Sequence, residues 1–371
     1  MLHACAGLIL ASSQAFYVNL PFLGVGLAGC FIALPSYRAP TKLPLFSRLA
    51  QVDWVGAALH IISVVLFNII VTFSGPVWAW NSGPSIAVWA VWSAVFVTYI
   101  IQQYFALFTT PERRIFPAHL LKNRAVGLIS LGVVGDGVAQ GLALYYLPLL
   151  FAFARGFQPL AAAVRLLPYI GTFIAASVIS GGLLPVIQRY NLFFFSSGVF
   201  ITVAGGLLSQ VSVTTSTSAI LGYGSMLGFG IGLTLTHSFG IVNAALPASQ
   251  RLDAGALINM AQIGSLSIGL DVADSIFQNV GFASVQSAFR ESGTALKLDN
   301  GDIRETLAGL SSQILLSEDH HLILLVINAV TKTIAKIFYI SLAAGILTLV
   351  SSVLMKWEKL DFRRGAKADQ G

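Results

Sequence analysis

Apolar residues in this chain neither alternate nor keep to one helical face. They run on. Nine stretches, approximately 17–35, 54–75, 85–107, 125–151, 166–187, 192–211, 219–246, 256–283 and 337–355, are almost free of charge. About 20 such residues in a helix match the hydrocarbon thickness of a bilayer. No water satisfies free backbone groups there, so each stretch must be helical. The pattern predicts an all-α polytopic transmembrane helix bundle. Pro21, Pro148, Pro168 and Pro185 are expected near helix ends, where a missing N–H costs least.

The polar intervals give an orientation. Loop 36–53 carries Arg38, Lys42 and Arg48, and loop 108–124 carries Arg113, Arg114, Lys122 and Arg124. The tail after 355 carries Lys356, Lys359, Arg363, Arg364 and Lys367, and two short turns add Arg189 and Arg251. The alternate connections 76–84 and 212–218 hold no Lys or Arg, and 152–165 holds only Arg155 and Arg165. Basic residues favour the cytoplasmic side of short loops, so the C-terminus is expected inside and, with nine spans, the N-terminus outside. The long connection 284–336 then lies outside, where long loops follow the charge rule poorly. Within it, Ile314 to Ile327 is apolar but interrupted by Glu318-Asp319-His320-His321, which suggests an interfacial helix and no tenth span. The His pair has no third metal ligand nearby, so no metal site is expected.

Composition narrows the function classes. Of 371 residues, 56% are hydrophobic and 10% charged, against about a quarter charged in soluble domains. The net charge of +6 is accounted for by the loops, so no nucleic-acid partner is expected. Cys5 and Cys30 are too few for a disulfide framework or a cysteine metal site. No Walker loop is present, and the Gly-x-Gly-x-x-Gly spacing of Gly24, Gly26 and Gly29 lies inside an apolar span and not at a nucleotide-binding turn, so neither ATP nor another cofactor is expected. Met1 to Phe16 lacks the basic start of a signal peptide and reads as the edge of something longer.

Small residues recur one turn apart. Gly224, Gly228 and Gly232 form one stripe, and Gly137–Gly141 and Ser265–Gly269 repeat the spacing. Such stripes let membrane helices approach closely. They serve static packing or a surface on which helices rock.

The run Phe16-Tyr17-Val18-Asn19-Leu20-Pro21 with Gly24 resembles the sixth span of fourteen-span drug:proton antiporters of the major facilitator superfamily, in the style of fungal efflux pumps. Asp53-Trp54-Val55-Gly56 and the turn Trp78-Ala79-Trp80-Asn81-Ser82 are similar to that family's central spans. Tyr145-Tyr146-Leu147-Pro148, Arg155-Gly156, Ala163 and Arg165-Leu166-Leu167-Pro168 resemble the opening of its C-terminal half. Gly255-Ala256-Leu257, Ile268-Gly269 and Phe277-Gln278-Asn279 resemble its penultimate span. The resemblance covers 16–355. It implies a remnant of the N-terminal half (1–35), two linker spans with cytoplasmic loops (36–124), a six-helix C-terminal half (125–355) and a basic cytoplasmic tail (356–371).

In that frame the first five spans, with their Asp/Arg/Gly loop and Gly-Pro antiporter motif, are missing, and Ser12-Ser13-Gln14-Ala15 replaces the usual Trp-Arg-Trp. The resemblance thus implies a major facilitator fold lacking most of its N-terminal half. The implied activity is not enzymatic. It is proton-coupled efflux of small organic compounds (drug, toxin or secondary metabolite), with protons, substrate and the bilayer as partners and the plasma membrane as location. The alternative is a non-transporting truncated fragment of such a pump.

Five side chains are candidates for the substrate or proton pathway. Asp136, mid-span, costs roughly 2.5–3.5 kcal/mol to insert, so it faces protein or water, and Gln140 one turn on extends its polar stripe. Asp136 serves either the pathway or a structural bond to a neighbouring helix. His237 lies in the Thr234–Ser238 run, where a satisfied core histidine is the competing reading. Asp271 and Asp274 share a helix face and line either the pathway or water at a helix end. An aspartyl protease would need two carboxylates sharing a proton, and neither a Tyr-Asp nor a Gly-x-Gly-Asp run is present. A channel filter would need repeated charge rings or carbonyls, which the sequence lacks.

Overall fold

The structure, a computed structural model, describes residues 17, 19–33, 44, 47, 49, 51–111, 113–292, 300–308, 320–357 and 359–360. It divides into two units, Met1–Gln51 and Val52–Gly371. The first contributes helix α1 (Asn19–Ala33), apolar and 15 residues long, or ~22 Å at 1.5 Å per residue.

The second unit is all-α among its described residues, apart from an isolated bridge between Ser74 and Trp78. Its helices are α2 (Trp54–Phe73), α3 (Gly83–Phe105), α4 (Arg124–Arg155), α5 (Leu167–Ile187), α6 (Tyr190–Ser209), α7 (Thr217–Gly232), α8 (Ser238–Ala245), α9 (Arg251–Ser292), α10 (Asn300–Ala308) and α11 (His320–Leu354). A six-residue helix, Pro159–Val164, precedes α5. Among the described residues, seven helices are long and apolar enough to cross a membrane.

Helix α4 is the hub. It packs on α11 and α9, while α6 lies along α11 and α7 along α5. Its buried residues include Val126, Ile129, Val133, Leu142, Tyr146 and Leu150. The α2–α3 hairpin meets α9 through its tryptophan-rich turn, where Trp80 Nε1 donates to Asn279 Oδ1 at 3.4 Å. Gly75 in that turn has φ +94° and lies so near Asn279 that a side chain would not fit.

The expected small-residue contacts find partners. Gly137 faces Ser265 and the Gln262 carbonyl, Gly141 faces the Leu266 carbonyl, and Gly269 faces Val138. The two stripes named separately in the sequence thus interlock across α4 and α9. The stripe on α7 divides: Gly228 and Gly232 lie on the α5 backbone at Tyr169 and Phe173, but Gly224 meets only the Leu147 side chain of α4.

Five expectations need correction. The segment 219–246 is not one helix: α7 stops at Gly232, and α8 starts at Ser238. The break keeps local backbone bonds, such as Leu235 N to the Ile231 carbonyl and Ser238 N to the Thr234 carbonyl, and bonds from α5 add to them. Ser177 Oγ donates to the Gly232 carbonyl at 3.1 Å, and His237 Nε2 lies 2.7 Å from the Ser177 carbonyl. Broken helices survive in a bilayer where protein satisfies the freed groups in this way.

The expected interfacial helix 314–327 is also wrong in its described part. Residues 320–327 open the continuous helix α11, which reaches Leu354, and 314–319 lie outside the described residues. The expected start at 337 falls just after Lys332 and Lys336, and the helix simply continues through them. Helix α9 likewise runs on past 283 to Ser292. Pro148 stands inside α4, seven residues before its end, and does not stop it.

The loops gather at two ends. Arg124 Nη2 donates to the Leu354 carbonyl at 3.0 Å, Leu360 N to the Gln188 carbonyl at 2.9 Å, and His119 Nε2 lies 3.7 Å from Asp253 Oδ2. At the other end Arg155 Nη1 donates to the Val213 carbonyl at 3.0 Å, beside His321.

Candidate functional site

Asp136 lies twelve residues into α4, ~18 Å along its axis, and is fully buried. Three hydroxyls from three other segments donate to it: Ser197 of α6 at 3.3 Å, Thr234 of the α7–α8 break at 2.5 Å, and Thr348 of α11 at 3.2 Å. Thr348 also reaches the Gly132 carbonyl at 3.1 Å, and Thr234 reaches Ser197 Oγ at 3.1 Å. Gly132 and Gly135 make room for this approach, facing Phe194 and Ser351, and Thr348 and Ala344. The carboxylate therefore ties four segments together in the helix core. Its partners are hydroxyls, with no second carboxylate among them.

The opposite face of α4 is different. Nine residues make two and a half turns, so Tyr145 points away from Asp136, and it is 51% exposed. Tyr145 and Tyr146 stack edge to face, centroids 5.0 Å apart, and Tyr146 sits 6.0 Å from the Phe277 ring of α9. Asp271 and Asp274 are both half-buried on α9, with Asp274 in electrostatic reach of Asp271, Tyr145 and Tyr146. The Tyr146 hydroxyl and Asp271 Oδ2 are enclosed without a hydrogen-bond partner. Buried polar atoms usually find partners, so an unsatisfied hydroxyl near a carboxylate pair that itself has an unsatisfied oxygen marks a place where protons or polar ligands would be welcome.

The remaining candidates stay apart from that cluster. Gln140, half-buried, lies toward the Asp136 side of α4. His237 is half-buried in the α7–α8 break, bonded to α5 and directly below Gly181. Among the described residues no group of three or more His, Cys, Asp or Glu could hold a metal ion.

Sequence reasoning missed the three hydroxyl partners of Asp136, because Ser and Thr are common in apolar helices and carry no spacing signal. It also missed a network at the start of α2. Asp53 is buried and caps α2 by accepting from Gly56 N at 2.8 Å, and it further accepts from Gln102 Nε2 at 3.1 Å and Gln103 Nε2 at 2.9 Å. Gln103 Oε1 in turn accepts from Phe116 N at 3.0 Å. The Asp-Trp-Val-Gly motif was the available signal, since a buried charge needs partners.

The chain is 28% identical over 347 residues to the efflux pump patC of Aspergillus clavatus, covering 93% of this chain and 62% of that protein. It is 30% identical over 357 residues to the phomenoic acid biosynthesis cluster MFS-type transporter of Leptosphaeria maculans, covering 91% and 56%. Its relatives are major facilitator transporters. The MFS-type transporter patC of Penicillium expansum is a further one, 30% identical over 352 residues, covering 92% and 62%. No family model matches the chain. The chain spans about three-fifths of the length of these major facilitator relatives. The similarity therefore extends over nearly all of this chain, from its α2–α3 hairpin through its helix hub, and it is to transporters and not to enzymes.

Proposed function

We propose that the chain forms the last N-terminal span, the linker spans and the C-terminal half of a fourteen-span major facilitator pump, which exports small organic compounds in exchange for protons. The observation that carries this reading is similarity across more than nine-tenths of the chain to proteins named as efflux pumps and MFS-type transporters. In this reading Asp271 and Asp274, beside Tyr145 and Tyr146, take up and release the proton, and Asp136 braces the opposite face of α4. Half-exposed carboxylates with unsatisfied neighbours exchange protons more readily than a carboxylate already held by three hydroxyls. Gln140 and His237, which stay apart from this pair, are assigned to the substrate's part of the pathway.

A second reading is that the 371 residues do not transport by themselves. Alternating access rocks one six-helix half against another, and the matched span is only 56–62% of each relative. Expression in a yeast stripped of its own efflux pumps separates the two. Protonophore-sensitive loss of a fluorescent apolar compound from cells carrying the chain supports transport, and Asp271→Asn with Asp274→Asn should then reduce it at least tenfold. Activity that appears only when the chain is fused behind the first five spans of a patC-type relative supports the second reading. Transport untouched by both Asn substitutions would remove the carboxylate pair from the pathway.

Location is tested separately. The charge bias supports a cytoplasmic C-terminus, and the plasma membrane is the proposed location. A reporter after Gly371 should be cytoplasmic and one at Gly301 external. Finding both on one side would refute the nine-span count.

A further inference from the structure

One cavity of about 610 Å³ opens at the end of the bundle where the basic loops gather. Its lining includes Arg113 and Arg114 from the loop before α4, Arg251 at the start of α9, and Asp253. Three arginines from two separate connections thus line one cavity with one carboxylate, and that carboxylate has His119 Nε2 at 3.7 Å. Glu112, between Pro111 and Arg113 in the sequence, lies outside the described residues. The rest of the wall includes Ile115, Pro117, Phe239 and Leu252, and Leu252 is 86% exposed.

The arginine side is braced. Arg114 Nη1 donates to the Gln103 carbonyl at 3.2 Å, and the Gln103 side chain is clamped between Asp53 and Phe116 N. The buried Asp53 network therefore fixes the loop that presents Arg113 and Arg114. A cation cluster held in place loses less entropy on binding than one on a free loop.

We propose that this cavity binds the phosphate group of an anionic phospholipid, with Ile115, Phe239 and Leu252 against the start of its acyl chains. Arginine forks match phosphate oxygens bidentately. The apolar part of the wall favours an amphiphile over free phosphate. The place also fits: the cavity sits where apolar helices give way to charged loops, the depth of lipid headgroups. Basic pockets between membrane helices on the cytoplasmic side, the side where anionic lipids are concentrated, bind such headgroups. This inference needs a bilayer and the proposed cytoplasmic placement of the basic loops, but not transport, so it stands or falls apart from the transport reading.

The test is thermal unfolding and native mass spectrometry of the purified full chain in detergent, titrated with short-chain phosphatidic acid, phosphatidylserine, phosphatidylcholine or inorganic phosphate. Saturable binding of the two anionic lipids is expected, with a rise in unfolding temperature of several degrees and weakening as salt is raised. Arg113→Gln combined with Arg251→Gln should weaken that binding at least tenfold. Arg113→Gln alone, on an exposed loop residue, should still weaken it several-fold, which covers the case in which the double variant fails to fold. Equal stabilisation by phosphatidylcholine, or unchanged affinity in a folded Arg113→Gln protein, overturns the proposal. Inorganic phosphate binding as tightly as phosphatidic acid overturns it too, and assigns the cavity to a free anion.

Discussion

Asp136→Ala should destabilise the purified chain more than any other single substitution of a polar residue in its helices. The carboxylate accepts from Ser197, Thr234 and Thr348, and each donor stands on a different segment. Interhelical hydrogen bonds in membrane proteins are worth about 0.6–1.7 kcal/mol each, so three come to about 2–5 kcal/mol. Alanine would also leave a cavity where four segments meet. The expected result in thermal unfolding is a clear drop in midpoint and a loss of monodisperse protein. Asp136→Asn should do less harm, because its amide oxygen still accepts. An alanine variant as stable as the parent protein would end the hub interpretation. Transport distinguishes the two roles of this side chain. An Asn variant that folds and still exports when driven by a proton gradient gives Asp136 a structural role, and one that folds but does not export puts it on the pathway.

The glycines of α7 should sort by their neighbours and not by their spacing. Gly228 and Gly232 lie against backbone carbonyls of α5, which cannot move aside as a side chain can. Substitution by Val at either should cost more than the roughly 1–3 kcal/mol of ordinary overpacking. Gly224 faces the flexible tip of Leu147, so Gly224→Ala should be close to neutral. Gly222 faces open space, and Gly222→Ala should gain up to about 1 kcal/mol from lost chain freedom in the unfolded state. Unfolding midpoints of the four variants give the order directly. Equal losses at Gly222 and Gly232 would mean that α7 does not lie on α5 in this way.

These two cases show what the residues could and could not reveal. Long uncharged runs at the bilayer length left one backbone option, so the helical class was legible throughout. Small-residue spacing identified faces but not partners: nothing in the sequence says that Gly137–Gly141 meets Ser265–Gly269, or that Gly224 turns toward α4. The break at 233–237 was hidden because Leu233 and Leu235 continue the apolar run. The groups that hold it, a hydroxyl and a carbonyl on α5 and a carboxylate on α4, are all distant in sequence. Asp136 was visible as a costly residue, with protein and water both open as its surroundings. Asp271 and Asp274 were visible as a pair. Their tyrosine neighbours had been noticed only as a motif, because contact between α4 and α9 depends on the interlocked glycines.

Helix α9 has 42 residues and α11 has 35, or ~63 and ~52 Å of rod against a hydrocarbon layer of about 30 Å. In the proposed orientation both overrun the bilayer on the same side, and α10 packs on α9 there, with Ile303 and Leu307 buried and Leu307 against Gly281. A stiff spar rooted beside the Asp271–Asp274 pair is a lever. If the bundle tilts by about 10°, a tip standing ~30 Å clear of the membrane sweeps about 5 Å through the water. Motions too small to follow inside the bilayer would be written large at Arg290 and Arg304, where an outside observer can attach.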